Sequence, residues 1–247
     1  MRRSWWYVAV ASLASAGLAC GDDDTSKEPV DLLYISDSSG WGVAEEYARL
    51  AEEELGRPVN IIDWRGGGQS LATVMTMIED NPEKVAQAEI VVLQGNPFGS
   101  GVREGFGECM NIYSPQSPGP YTVEDFAPYQ AMMEDAVSKI IELRDGQPTA
   151  VRVADIYVAD PAWWVEVGLD ADCRTIWDAS YQAIQNVAAD TGAIFVSAYD
   201  VYNGPNHDED PIEKGMLASD RIHPSPKGSE AMAAALHAVG YAELTDG

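Results

Sequence analysis

Four short segments of the chain carry residue types that could do chemistry together. The first is Ser36-Asp37-Ser38-Ser39-Gly40, which follows the apolar run Leu32-Leu33-Tyr34-Ile35 and leads into a helical pattern. That order puts Ser38 at a strand-to-helix turn, where a hydroxyl is exposed and backbone N–H groups point toward it. A serine hydroxyl is too weak an acid to attack a carbonyl at neutral pH unless a base takes its proton. The second segment, Asp220-Arg221-Ile222-His223-Pro224, offers that base. Histidine is the usual proton acceptor near neutrality, and a loop carboxylate three residues earlier can reach its other ring nitrogen and fix the tautomer. The last two segments offer hydrogen-bond donors. In Arg65-Gly66-Gly67-Gly68-Gln69-Ser70 the glycines let a backbone N–H come close to a ligand, and Gln94-Gly95-Asn96-Pro97 sets an asparagine amide directly after an apolar run. Taken singly, each is commonplace: a helix cap, a solvated loop and two turns. The other histidines compete weakly. His207 stands in the acidic run His207-Asp208-Glu209-Asp210 and reads as solvated, and His237 stands among helical alanines and reads as packed.

In this order the segments resemble the SGNH hydrolases, also called GDSL esterases and lipases. The block from Gly215-Met216-Leu217 through Asp220 and His223 to Gly228 is the most similar part, and the resemblance runs from about Val30 to Val239. It implies Ser38 as nucleophile, His223 as base and Asp220 as the acid that orients it. It also implies an oxyanion hole made of Ser38, Gly68 and Asn96, and hydrolysis of a carboxylic ester with no cofactor and no metal. Gly68 is preferred within Gly66 to Gly68 because Gln69-Ser70 follows it. The family's Gly-Asp-Ser reads Ser36-Asp37-Ser38 here, and its Gly-x-Asn-Asp reads Gln94-Gly95-Asn96-Pro97. A Gly-x-Ser-x-Gly elbow, a Walker A loop and His-Glu-x-x-His are all missing from the sequence.

The elements that must position these residues alternate. Continuous apolar runs at Leu32 to Ile35, Val59 to Ile62, Ile90 to Leu93, Ala150 to Ile156 and Ala193 to Val196 suit strands buried on both faces. Helical patterns lie between them: Val43, Tyr47, Leu50 and Ala51 share a face, and Leu71 to Ile78, Val123 to Leu143 and Thr175 to Ala189 follow. A last helix starts at Ser225-Pro226, with Met232, Ala235, Leu236 and Val239 along one stripe. Five strands alternating with helices predict a three-layer α/β/α, flavodoxin-like fold on a five-stranded parallel sheet, with ligands beyond the carboxyl ends of the strands. Gly95 to Tyr121, Val158 to Asp172 and Asp200 to Ile222 read as long irregular stretches.

The first residues read as address rather than fold. Arg2-Arg3, the uncharged stretch Trp5 to Leu18 and then Ala19-Cys20-Gly21 before Asp22-Asp23-Asp24 resemble a bacterial lipoprotein signal. The expected organisation is a signal peptide over 1–19, an acidic tether over 20–29 and a hydrolase domain over 30–247. Cys20 would be the lipidated residue of a membrane-anchored protein in the periplasm or at the cell surface. Cleavage after Ala14-Ser15-Ala16, giving a soluble secreted protein, is the rival. Export favours a disulfide between Cys109 and Cys173, with two buried thiols as the alternative.

Forty acidic against fifteen basic residues give a net charge of −25, and loss of the leader with its two arginines takes it to −27. Such a surface disfavours nucleic acid and anionic membranes, so membrane contact is expected only through lipid on Cys20. The expected partner is a small-molecule or glycan ester. A small-acyl or O-acetyl glycan ester suits the charge, with Trp163 or Trp164 stacking on a sugar face. A lipase or lysophospholipase could use the same aromatics as an acyl groove, and both tryptophans could equally anchor a loop. A non-catalytic surface glycan-binding lipoprotein is the alternative from another class. The acidic runs Asp22 to Asp24 and Asp208 to Asp210 lack the spacing of a calcium loop.

Overall fold

A computed structural model describes residues 28–97, 100–102, 109 and 117–244. The leader, Cys20 and Asp22 to Asp24 lie outside the described residues, as does most of Gly95 to Tyr121 beyond Pro97. Strands β1 (Val30–Ser36), β2 (Val59–Arg65), β3 (Ile90–Gln94), β4 (Ala150–Ala154) and β5 (Ile194–Val196) form one sheet in the order β2-β1-β3-β4-β5. All four pairings are parallel. This is the flavodoxin-like strand order, whose direction of winding reverses between β1 and β3.

In the central strands β1, β3 and β4 the apolar runs are explained by burial of both faces. The edge strands β2 and β5, expected to be equally buried, are only partly covered. Along β1, Leu33 and Ile35 enter one core with Val91, Leu93 and Val153, while Leu32 and Tyr34 enter the other with Ile90 and Val92. The first core is covered by α2 (Leu71–Asp80), α4 (Ala127–Leu143) and α6 (Asp170–Thr191). The second is covered by α1 (Val43–Leu55) and α8 (Pro226–Ala238), through Val43, Tyr47, Met232 and Leu236. Parallel strands need crossovers, and the helices on both faces are those crossovers.

Three short helices went unrecognised in the sequence: α3 (Pro82–Gln87), α5 (Pro161–Glu166) and α7 (Ala198–Asn203). Val158 to Asp172 and Asp200 to Ile222 are therefore less irregular than expected. Six residues are too few to show a helical period. Side-chain caps start two of these segments, Asp160 accepting from the Trp163 N–H and Ser197 from the Asp200 N–H, and α3 starts on Pro82 with no side-chain cap. Helix α6 begins at Asp170 rather than Thr175, and the stretch before α4 is a separate 3-10 turn, Val123–Phe126. Val239 is the exposed C-cap of α8 rather than part of its buried stripe.

Two buried charges tie the far elements to the sheet. Arg152 of β4 is fully buried and its guanidinium meets Glu243 at 2.6 Å and the Gly240 carbonyl. Asp155, one residue beyond β4, accepts from the Ala198 and Tyr199 N–H groups at 2.6 and 3.2 Å and from the Ser197 hydroxyl at 3.1 Å. It thereby caps α7. Cys109 and Cys173 are joined by a disulfide. Among the described residues no helix is long and apolar enough to cross a membrane.

Candidate active site

Beyond the carboxyl end of β1 the chain turns at once into a 3-10 turn, Ser38–Gly40. Asp37 caps it, accepting from the Ser39 N–H at 2.8 Å and the Ser39 hydroxyl at 2.6 Å. Gly40 is required by close packing, because a Cβ there would run into the Ser36 hydroxyl and the Tyr34 ring. The turn leaves Ser38 half-buried, at the mouth of a cavity.

His223 reaches the same place from the other end of the chain. The Ala218 N–H donates to the His223 carbonyl at 2.8 Å, and Leu217 pairs with Pro224 in an antiparallel bridge, so residues 217–224 form a closed loop ahead of α8. Arg221, at the loop's tip, takes a left-handed conformation with φ 63°. Within the loop, one Asp220 oxygen accepts from the Ile222 and His223 N–H groups, each at 3.0 Å. The other lies 2.8 Å from His223 Nδ1, and His223 Nε2 lies 2.9 Å from Ser38 Oγ. The hydrogen bond from His223, followed by those from the two backbone N–H groups, holds the Asp220 carboxyl down at about 2. Two aromatic residues steady the loop and its imidazole. Trp41 stacks on it with ring centroids 4.8 Å apart, and the Tyr157 hydroxyl donates to the Ile222 carbonyl at 2.6 Å.

The donor segments converge on the same cavity. Gly66 already donates its N–H to the Ser36 carbonyl at 3.1 Å, and of the three glycines it is Gly68, at φ 62°, that lines the cavity with Ser38 and Asn96. Asn96 is buried after β3, its backbone bridged to Ser70 at the start of α2. Its Nδ2 donates to the second Asp37 oxygen at 2.6 Å. Asp37 thus joins the turn after β1 to the residue after β3, across the reversal of winding in the sheet. The Pro97 carbonyl accepts from the Ser100 N–H at 3.2 Å.

The structure therefore brings Ser38, Gly68, Asn96, Asp220 and His223 to one cavity of about 780 Å³. Sequence reasoning missed Asp37, Trp41 and Tyr157. Asp37 sat inside the quoted Ser36-Asp37-Ser38, but no local spacing reveals that its partner is Asn96. Trp163 is half-buried in the cavity wall, and Trp164 is buried beside it. The other histidines stay apart from the site. His207 is not solvated as expected: it stacks on Tyr199 at 3.7 Å, and its Nε2 lies 2.7 Å from Asp200. His237 packs half-buried between Glu54 and Tyr241. Among the described residues no group of three or more His, Cys, Asp or Glu is arranged to hold a metal ion.

No protein-family model matches the chain. It is 23% identical over 208 residues to the spore germination lipase LipC of Bacillus licheniformis, a match covering 82% of this chain and 88% of that protein. Among solved structures, the lipase Lip_vut3 from a goat rumen metagenome aligns with TM-score 0.61 and 20% identity, over 86% of this chain and 98% of that one. A variant of Axe2, an acetyl xylan esterase from Geobacillus stearothermophilus, aligns with TM-score 0.58 and 16% identity, over 87% and 96%. At these identities the structural likeness is one of fold.

Proposed function

We propose that this chain is a serine hydrolase that cleaves a carboxylic ester through a covalent acyl-enzyme. One observation carries the reading: Ser38 Oγ, the two His223 nitrogens and an Asp220 oxygen form an unbroken line of hydrogen bonds, 2.9 and 2.8 Å long, from opposite ends of the chain. Ser38 Oγ attacks the ester carbonyl while His223 Nε2 takes its proton, and Asp220 holds the imidazole in the required tautomer. The carbonyl oxygen becomes an oxyanion, assigned to the Ser38 and Gly68 N–H groups and the Asn96 amide. Asp37, which accepts from Asn96 Nδ2 at 2.6 Å, holds that amide beside the serine turn. Collapse expels the alcohol, which receives the proton from His223, and a water activated by the same histidine then releases the acid. The fold shared with a lipase and an acetyl xylan esterase agrees with ester hydrolysis as the common reaction.

Labelling with a fluorophosphonate tests the reading directly. The wild-type protein should react at Ser38 and lose its esterase activity. A folded Ser38→Ala protein should do neither, and undiminished turnover in it would sink the assignment. Of the two substrate readings, a small-acyl or O-acetyl glycan ester and a lipid-like ester, the cavity wall favours the second.

A further inference from the structure

Ester hydrolysis accounts for only one end of the cavity. Its volume of about 780 Å³ is of the size that encloses a whole small-molecule ligand, whereas an acetyl ester brings a single methyl group to the acyl side. Besides Ser38, Asn96 and His223, the wall carries the apolar side chains of Ile156, Val158, Trp163, Trp164 and Trp177. Apolar walls of this kind gain affinity by taking hydrocarbon out of water.

The wall has a particular anchor. Trp164 is buried with its ring 4.8 Å from that of Trp177. A buried indole N–H needs an acceptor, and here it donates to the Cys109 carbonyl at 2.8 Å. Cys109 is itself buried in the cavity wall and bonded to Cys173. Cys173 is buried one helical turn before Trp177 on α6. The disulfide thus closes a ring of contacts: from α6 to Cys109, to the Trp164 indole, to the Trp177 ring, and back to α6.

Building on the ester-hydrolase reading, we propose that this end of the cavity takes the hydrocarbon part of the ester, a medium-length alkyl chain. We assign the Cys109–Cys173 disulfide as a specificity-determining element that holds the tryptophan wall in place. A dithiol reductant converts the disulfide to two thiols, delivering two electrons and two protons and closing to its own cyclic disulfide. Cys109, whose carbonyl holds the Trp164 indole, then loses its covalent tie to α6, while Ser38, His223 and Asp220, on other segments, keep theirs.

The experiment is a series of p-nitrophenyl esters from acetate to dodecanoate, read as kcat/KM against chain length. In the oxidised wild-type protein kcat/KM should rise about threefold to fourfold per added methylene until the cavity is filled. After reduction by dithiothreitol, or in Cys109→Ser/Cys173→Ser, the gain per methylene should fall below about twofold. Trp164→Phe keeps an apolar ring but removes the N–H that Cys109 accepts, and it should flatten the series in the same way. It serves as the second variant if the double cysteine variant does not fold. A steep series unchanged by reduction and by Trp164→Phe overturns the role of the disulfide. A series that falls from acetate onward overturns the hydrocarbon pocket while leaving ester hydrolysis standing. No turnover of any ester, together with no fluorophosphonate label at Ser38, overturns the hydrolase reading itself.

Discussion

Asp37 divides its two carboxylate oxygens between two jobs: one holds the turn that carries Ser38, and the other holds the Asn96 amide at 2.6 Å. Its expected role is positioning, through Asn96. Removing an oxyanion donor typically lowers kcat by about 10²–10³-fold, so Asn96→Ala should do that with KM nearly unchanged, because the ground-state ester carries little charge. Asp37→Ala should lower kcat in the same direction, by about tenfold to a hundredfold, since the amide remains but is no longer aimed. The two changes should not add. In an Asn96→Ala background Asp37→Ala should cost little further kcat, and Asp37→Asn, which keeps an acceptor oxygen, should recover part of the loss. Fully additive losses would show that Asp37 merely supports the turn. Asp220 makes a separate expectation about pH. Its carboxyl titrates at about 2, held there first by His223, so it stays ionised wherever the protein works. Asp220 should therefore add no ionisation of its own to the kcat/KM profile near neutrality, and His223→Ala should lower kcat/KM throughout it. Asp220→Asn should lower kcat by about 10³–10⁴-fold, as expected for an imidazole held in the wrong tautomer.

Two buried ionisable groups, in and just beyond β4, act at the scale of the elements. Asp155 caps α7, and its burial pushes its carboxyl up to about 7, against the hydrogen bonds from Tyr199, Ser197 and Ala198 that favour the charged form. A free aspartate titrates near 3.9. Between about 4 and 7 the folded protein holds a proton that the unfolded chain has lost, so stability falls as pH rises through that window. Unfolding midpoints measured from pH 4 to 7 should show that decline, and Asp155→Asn should flatten it; an unchanged slope would assign it to the overall charge. Arg152 is the second case. Breaking a buried ion pair costs about 3–5 kcal/mol, but Glu243 keeps 31% of its side-chain exposure. Glu243→Ala should therefore cost less, on the order of 2 kcal/mol by denaturant titration. At this level the sequence was legible where burial is continuous. The runs Leu32 to Ile35 and Ile90 to Leu93 read as strands because residues on both faces enter a core. The helices α3, α5 and α7 were hidden because a segment shorter than two turns has no period to detect. The site divides the same way. Ser38, Gly68, Asn96 and His223 were legible as residues that follow strands or precede a helix. The hydrogen bond from Asn96 to Asp37 and the stacking of Trp41 on His223 depend on how distant segments meet, which no local spacing records.

The whole molecule carries a charge of −25. Charge of one sign slows the approach of ligands of the same sign and is screened by salt over about 10 Å at 0.1 M. For an ester bearing a remote carboxylate, kcat/KM should therefore rise as salt increases from about 0.01 to 0.3 M, while a neutral ester of the same length should hardly respond; equal responses would leave the surface charge without a role in access. For the lipid anchor proposed at Cys20, Cys20→Ser should move the protein from the detergent-extracted fraction to the soluble one, and a mature chain cleaved after Ala16 would end that proposal. The placement of Ser38 and His223 at opposite ends of the chain also sets an order in time. A chain made from its N-terminus completes the serine turn, both donor segments and all five strands before His223 emerges, and the partner of Arg152 comes later still. Until His223 is made the serine lacks its proposed base, and until Glu243 is made the guanidinium of the fourth strand lacks its counter-charge. If Ser38 is the nucleophile proposed above, a growing chain carries it for some 185 residues before its base is made, and the charge pairing of Arg152 follows later still.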